Sequence, residues 1–147
     1  MKRFILVLSI LCVSIFSCMA FVDDQPIAVS ALPTQVHTFV NTHFKGIPII
    51  YAEKDNYSRT KYEVRLNDGT EISFDRKCNW DKVDTNSNMK AVPDELVPAF
   101  IKMYVKNNMN NQLIIKIDKE RYGYDIELSS GIELKFDKKG NVIDFDD

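Results

Sequence analysis

Few residues in this sequence belong to the types on which disulfides, metal sites and nucleophilic catalysis depend. Its 147 residues include three cysteines, two histidines and five glycines. Cys12 and Cys18 lie in an apolar N-terminal segment, which leaves Cys78 alone in the rest of the chain. A single thiol cannot form an internal disulfide. The fold must therefore be stabilised by a hydrophobic core.

The same scarcity argues against catalytic and metal sites. His37 and His43 are six residues apart on one predicted helix, so they do not share a face as an i, i+4 ligand pair does. Without a suitable histidine, a serine or cysteine nucleophile has no evident base. Lysine and arginine follow Asp75 and Asp137 where a calcium loop has oxygen ligands, so both acids are interpreted as turn formers. We therefore predict that the protein is not an enzyme and that it has no catalytic residue, no metal and no cofactor.

The first twenty residues have the composition of a secretory signal peptide. A basic start, Met1-Lys2-Arg3, precedes an apolar run at residues 4–16 that is too short to span a membrane. Two processing routes stay open: cleavage after Ala20, or acylation of Cys18 within a loose lipoprotein box. We therefore predict an exported protein that is periplasmic or secreted, or alternatively an outer-membrane lipoprotein.

The charge balance bears on the class of partner. The chain has 19 basic and 21 acidic residues, and removal of Lys2 and Arg3 with the signal segment leaves 17 basic residues, a net charge of −4. A mildly acidic chain does not fit a nucleic-acid partner, which requires a basic stripe. Contact with a membrane is expected only through lipidation of Cys18.

A repeat organises the rest of the chain. Residues 62–84, YEVRLNDGTEISFDRKCNWDKVD, align without a gap with residues 124–146, YDIELSSGIELKFDKKGNVIDFD. Each is preceded by a proline and apolar residues at helical spacing. We predict a lead-in at residues 21–31, a first repeat at 32–84 and a second at 85–147, both in one structural domain. The predicted fold class is α+β: a tandem repeat of a helix plus a four-stranded antiparallel sheet, with the helices on one face and the other face open.

Hairpin register follows from the alternation of apolar and polar residues. A three-residue loop, Asn67-Asp68-Gly69, places Val64 opposite Ile72 and every apolar side chain of the hairpin on one face, whereas a two-residue loop would mix the faces. Gly69 then occupies the loop position that requires a left-handed backbone. The second repeat obeys the same rule at Gly131.

The repeated pattern resembles that of the PepSY-like proteins, also described as beta-lactamase-inhibitor-like. It comprises Leu-Pro, a helix, Tyr-x-Val-x-Leu-x-x-Gly-x-x-Ile-x-Phe-Asp, a turn and Trp-x-x-Val-Asp, after a signal peptide. The resemblance implies paired helix-plus-four-strand repeats, export to the envelope and no known enzymatic chemistry. Proteinaceous beta-lactamase inhibitors of similar layout bind their target with the open face of the sheet. Cys78 replaces the family's turn glycine, present here as Gly140, which raises the question whether the first turn keeps its conformation.

The predicted open face supplies the candidate site. If the helices cover the side that carries Val64 and Ile72, the other side of the first repeat is expected to display Tyr51, Glu53, Glu63, Arg65, Glu71, Trp80 and Lys82. Tyrosine and tryptophan often anchor protein interfaces, although Trp80 could instead pack against a loop or the strand edge. We predict a protein-binding module with an unidentified protein partner. Inhibition of a secreted or periplasmic hydrolase or peptidase is implied by the resemblance alone, and the alternative is a structural or self-assembling envelope protein.

Overall fold

The computed structural model describes residues 24–56, 59–110 and 112–146. Two helices of ten residues each, about 15 Å long at the usual helical rise, interrupt a series of strands. The helices are α1 (Thr34–His43) and α2 (Ala99–Asn108). The strands are β1 (Asp24–Pro26), β2 (Ile49–Asp55), β3 (Thr60–Leu66), β4 (Glu71–Asp75), β5 (Trp80–Asp84), β6 (Ile114–Lys119), β7 (Gly123–Leu128), β8 (Glu133–Asp137) and β9 (Val142–Asp146).

The predicted fold class is wrong in its architecture. The structure is a single nine-stranded antiparallel sheet in the order β1 to β9, mostly β, and not a tandem repeat of a helix plus a four-stranded sheet. Strand β5 pairs directly with β6, with Val83 opposite Ile117, and β1 of the lead-in adds a ninth strand by pairing with β2. An isolated four-stranded layer would leave hydrogen-bonding edges open and bury a small core, so joining the two halves gives one larger sheet with one core.

Both helices pack on the same face of this sheet. Val36 and Val40 of α1, with Ile101 and Val105 of α2, are buried in one continuous hydrophobic cluster with the inward side chains of the strands. Each helix begins directly after a proline, Pro33 or Pro98, where the missing N–H costs no helical hydrogen bond. A short 3-10 turn, Asp94–Leu96, precedes Pro98.

The hairpin registers predicted from alternation are confirmed. Val64 lies opposite Ile72 in the first repeat, and Ile126 lies opposite Leu134 in the second. The glycines at the ends of the two loops, Gly69 and Gly131, both have φ of +89°, a backbone conformation that side chains with a Cβ disfavour. Residue spacing and turn chemistry thus determine the same pairing in both halves.

Irregularities interrupt the pairing at corresponding positions. The register of β4 with β5 shifts between Ser73 and Phe74, and that of β8 with β9 shifts between Lys135 and Phe136. In each case one strand has an extra residue, which is a β-bulge. The extra residue of β5 is Asp81, so the side chains on its two sides do not follow simple alternation.

Candidate functional site

The face of the sheet opposite the helices carries two rows of polar side chains that cross β2 to β9. Residues in each row lie opposite one another on consecutive strands, so every row forms a line across the sheet. The first row is Tyr51, Arg65, Glu71, Asp84, Lys116, Glu127, Glu133 and Asp146. The second row is Glu53, Glu63, Ser73, Lys82, Asp118, Asp125, Lys135 and Asp144. We call these two rows the uncovered face.

The uncovered face is strongly acidic. Its sixteen positions hold ten carboxylates and four basic side chains, the latter being Arg65, Lys82, Lys116 and Lys135. The composition of the whole chain, with 19 basic and 21 acidic residues, gives no indication of this excess. The fold therefore concentrates negative charge on one side of the molecule, and such a surface attracts positively charged partners.

Crowding of the carboxylates affects their ionisation. Burial raises the pKa of Glu63, and the carboxylate of Glu53 directly opposite raises it further. Burial likewise raises the pKa of Asp118, with Glu120 as the next largest cause. The ionised form of both carboxyl groups is therefore disfavoured, and a cationic partner would stabilise it by supplying positive charge.

Five of the seven predicted contact residues come together at one end of the uncovered face. The hydroxyl of Tyr51 donates to Glu53 Oε2 at 2.9 Å, and the guanidinium of Arg65 lies 5.7 Å from the centre of the Tyr51 ring. Arg65 also forms an ion pair with Glu71 at 2.9 Å, while Glu63 lies opposite Glu53. Lys82 lies on β5, the next strand after β4, opposite Ser73. These residues are placed on the uncovered face, and their binding role stays a prediction.

Trp80 is not on the uncovered face. The bulge at Asp81 places it opposite Phe74 on the helix side, where its ring centroid lies 6.4 Å from that of Phe39 in α1. The ammonium of Lys119 lies 3.4 Å from the ring centroid and donates to the Trp80 carbonyl. Trp80 therefore packs against α1 and the core, and neither displays its ring on the uncovered face nor packs on a loop or the strand edge as the sequence suggests.

Asp81 itself is a buried acid at the edge of a small cavity. Its side chain is only 7% exposed, its Oδ1 has no hydrogen-bond partner among the described atoms, and burial raises its pKa. The cavity measures about 200 Å³, and opens among side chains of the second row and of the β2–β3 and β6–β7 turns. Its lining is Arg59, Thr60, Ser73, Asp81, Lys82, Asp118 and Glu120.

One exposed aromatic residue was missed by the sequence analysis. Tyr122 lies in the turn between β6 and β7, is 40% exposed, and donates its hydroxyl to Asp125 on the uncovered face. Burial and the hydrogen bond to Asp125 raise the pKa of this phenol. Alternation along strands could not indicate it because the residue lies outside a strand.

The residues considered for chemistry have structural roles. His37 Nε2 lies 3.1 Å from the carbonyl oxygen of Val29, and His43 Nδ1 lies 2.9 Å from Glu95 Oε1. In the part of the chain that the structure describes, no three His, Cys, Asp or Glu side chains are grouped to hold a metal ion. Burial raises the pKa of the Cys78 thiol, and Asp75 raises it further, which opposes thiolate formation.

The first turn keeps the conformation of the second despite its cysteine. Cys78 has φ of 61° and Gly140 has φ of 92°. Asp75 Oδ1 accepts hydrogen bonds from two backbone N–H groups at 2.8 and 2.9 Å, and Asp137 Oδ1 accepts two at the same distances. The interpretation of both acids as turn formers is therefore confirmed.

The predicted signal peptide, its cleavage after Ala20 and the lipidation of Cys18 lie outside the described residues. Among residues 24–56, 59–110 and 112–146, the helices are too short or too polar to cross a bilayer. The predicted division into repeats at residues 32–84 and 85–147 stays a prediction.

Comparisons with known proteins give the chain's relatives. The family described as "Putative beta-lactamase-inhibitor-like, PepSY-like" matches residues 22–67 and 60–144. Two solved structures each cover most of the chain. A "putative calcium-regulated periplasmic protein" from Bacteroides thetaiotaomicron is 36% identical, with a TM-score of 0.76 over 85% of this chain and 98% of its own. A "putative periplasmic protein" from Bacteroides vulgatus is 37% identical, with a TM-score of 0.78 over 86% of this chain and 99% of its own.

A further periplasmic protein from Bacteroides vulgatus, of unknown function, is 32% identical, with a TM-score of 0.76 over 84% of this chain and 99% of its own. No match was found among curated proteins. The periplasmic relatives confirm the predicted exported, periplasmic localisation. Because the family matches the chain twice and the two matches together cover residues 22–144, the chain belongs to the PepSY-like, beta-lactamase-inhibitor-like family.

Proposed function

We propose that this protein is a non-enzymatic binding module of the periplasm that holds the basic surface of another protein on its uncovered face. The observation that carries the proposal is the excess of ten carboxylates over four basic side chains on a face that no described segment covers. Complementary charge accelerates association and selects partners. Tyr51, exposed beside Arg65, supplies an aromatic contact of the kind that anchors interfaces.

The family description supports a more specific form of the proposal. A beta-lactamase-inhibitor-like chain would act by occluding a secreted or periplasmic hydrolase or peptidase with this face. The acidic charge also disfavours stacking of two copies face to face, because carboxylates would then oppose carboxylates. A different protein is therefore a better partner for the uncovered face than a second copy of this chain, and a crosslinking experiment distinguishes the two.

Site-directed photocrosslinking in periplasm tests the uncovered face directly. A photoreactive amino acid is placed at Tyr51, and in a matched variant at Met103, which is 62% exposed on α2. We expect a heterologous crosslink from position 51 that is weakened by salt, since exposed charge pairs are screened, and no such product from position 103. Equal crosslinking from both positions, or a product containing only this chain, would refute the proposal.

A charge reversal separates binding from folding. Glu133 lies opposite Glu127 across β7 and β8, and like charges in this arrangement destabilise a sheet. Glu133→Lys should therefore stabilise the protein slightly, by about 0.5 kcal/mol, while it reduces the yield of the crosslink from position 51. A variant with lower stability and unchanged crosslinking would contradict the role given to the acidic charge.

A further inference from the structure

The apolar row that forms the centre of the core becomes exposed at one edge of the sheet. This row crosses β2 to β9, and each member lies opposite the next on the neighbouring strand. Its members are Ala52, Val64, Ile72, Val83, Ile117, Ile126, Leu134 and Phe145. The first seven are at most 2% exposed, whereas Phe145 on β9 is 48% exposed.

The first repeat shows how the equivalent edge is covered. By the alignment of residues 62–84 with 124–146, β9 corresponds to β5 and Phe145 corresponds to Val83. Strand β6 covers β5, with Ile117 opposite Val83 and Lys116 opposite Asp84. Val83 is consequently 0% exposed. In the described part of the chain β9 has a neighbour on one side only, β8.

The two ends of the sheet differ in their ability to accept another strand. The outer strand β1 has three residues and ends at Pro26, which has no N–H to donate. Strand β9 has five residues without proline. The N–H of Phe145 donates to Asp144 Oδ1 at 3.0 Å. This backbone donor is thus satisfied by a side chain, and an incoming strand can offer it a carbonyl oxygen instead.

We propose that the outer edge of β9 binds an extended basic segment of another protein as a tenth antiparallel strand. The β5–β6 pairing supplies the pattern: an apolar residue opposite Phe145, as Ile117 is opposite Val83, and a lysine or arginine opposite Asp146, as Lys116 is opposite Asp84. Position 144 is aspartate where β5 has Lys82, so the residue opposite it is also basic. The segment thus alternates basic, apolar and basic residues, a form of β-strand addition.

A second copy of the chain does not fit this edge. Antiparallel pairing of β9 with β9 places Asp144 and Asp146 near the same acids of the other copy, and β1 carries Asp24. Like charges across a strand pair are destabilising. Asp144 and Asp146 belong to the uncovered face, but strand addition uses the backbone edge of β9, so it can fail while the uncovered face still binds a partner, and the reverse.

The test uses a labelled synthetic peptide with the sequence of β6, Ile114–Lys119, carrying the change D118K. Fluorescence anisotropy with the full protein is expected to show saturable binding, and hydrogen exchange is expected to slow at residues 142–146. The same peptide with alternate backbone nitrogens methylated cannot form the ladder and should not bind. Asp146→Lys should weaken binding about fivefold, which corresponds to roughly 1 kcal/mol.

Asp24→Lys at the opposite edge is the matched control and should leave the affinity unchanged. Absence of saturable binding would overturn the proposal, as would equal binding of the methylated peptide. Equal weakening by Asp24→Lys and Asp146→Lys would show general charge attraction instead of edge binding. Concentration-dependent dimerisation with protection of residues 142–146 in the absence of peptide would identify a second copy as the occupant, and would also overturn it.

Discussion

The two loop glycines offer a matched test of what stabilises the sheet. Gly69 and Gly131 occupy equivalent positions and have the same φ of +89°. A Cβ at Gly131 would meet nothing within 4 Å, whereas a Cβ at Gly69 would lie 2.4 Å from Ser87 Oγ and 3.2 Å from Ser87 Cβ. Ser87 Oγ also donates to the carbonyl oxygen of Gly69 at 2.6 Å. An alanine would thus be equally strained in its backbone at both positions, but its Cβ would clash only at position 69.

The expected magnitudes follow from these differences. A left-handed alanine costs about 1–2 kcal/mol, and the lower entropy of the unfolded chain offsets about 0.4–1 kcal/mol of that cost. Gly131→Ala should therefore reduce the free energy of unfolding by about 1 kcal/mol. Gly69→Ala should also displace Ser87 and break its hydrogen bond, for a total loss of about 2 kcal/mol.

Urea unfolding monitored by far-ultraviolet circular dichroism measures both losses, and the fluorescence of the single tryptophan provides a second probe. The decisive comparison is made in a Ser87→Ala background, where the oxygen that a Cβ at position 69 would meet is absent. There the losses for the two glycines should become nearly equal. A difference that persists in this background, or a larger loss at Gly131, would refute the reasoning.

Two further predictions concern single side chains. Trp80→Ala should lower the free energy of unfolding by roughly 2–3 kcal/mol. This loss is smaller than for removal of a fully buried tryptophan, because the ring is only partly buried against Phe39. An unchanged thermal midpoint would contradict this packing. Burial, and then Glu53, raise the pKa of Glu63, so the folded protein binds this proton more tightly than the unfolded chain. Stability should therefore fall as pH rises from the ordinary glutamate value through the raised one. The Glu63→Gln variant should not show that fall, so it should be more stable than the native protein at neutral pH but not at lower pH. Identical pH profiles for the two proteins in urea titrations would contradict this prediction.

The sequence predicts local pairing well because local pairing depends on local patterns. The alternation that includes Val64 and Ile72, together with the position of Gly69, permits one register, and the structure has that register. The same holds for Ile126, Leu134 and Gly131. A slip by one residue would expose every apolar side chain of a hairpin.

The architecture beyond the hairpins could not be predicted from the same patterns. Nothing in the alternation of β5 or β6 specifies that Val83 pairs with Ile117, because residues 85–113 separate the two strands and hold a helix. The contribution of the lead-in, through β1, was equally hidden in a three-residue segment that contains a proline.

The candidate site was misjudged at Trp80 for a specific reason. Alternation counted back from Val83 assigns both Trp80 and Lys82 to the side opposite the core, but the extra residue Asp81 moves Trp80 to the core side. A bulge adds one residue to one strand, and its position depends on the partner strand. The charge of the uncovered face was likewise invisible in composition, since it arises from which residues the register places side by side.

The strand order has a consequence for how the chain assembles. Among the described residues, every strand bonds only to its neighbours in sequence, so nearly all pairings close short loops, and topologies of this kind form quickly. A polypeptide delivered to the periplasm N-terminus first could build this sheet progressively as it emerges. The longest delay in sheet growth comes between β5 and β6, because the segment that contains α2 must emerge before β6 can pair with β5.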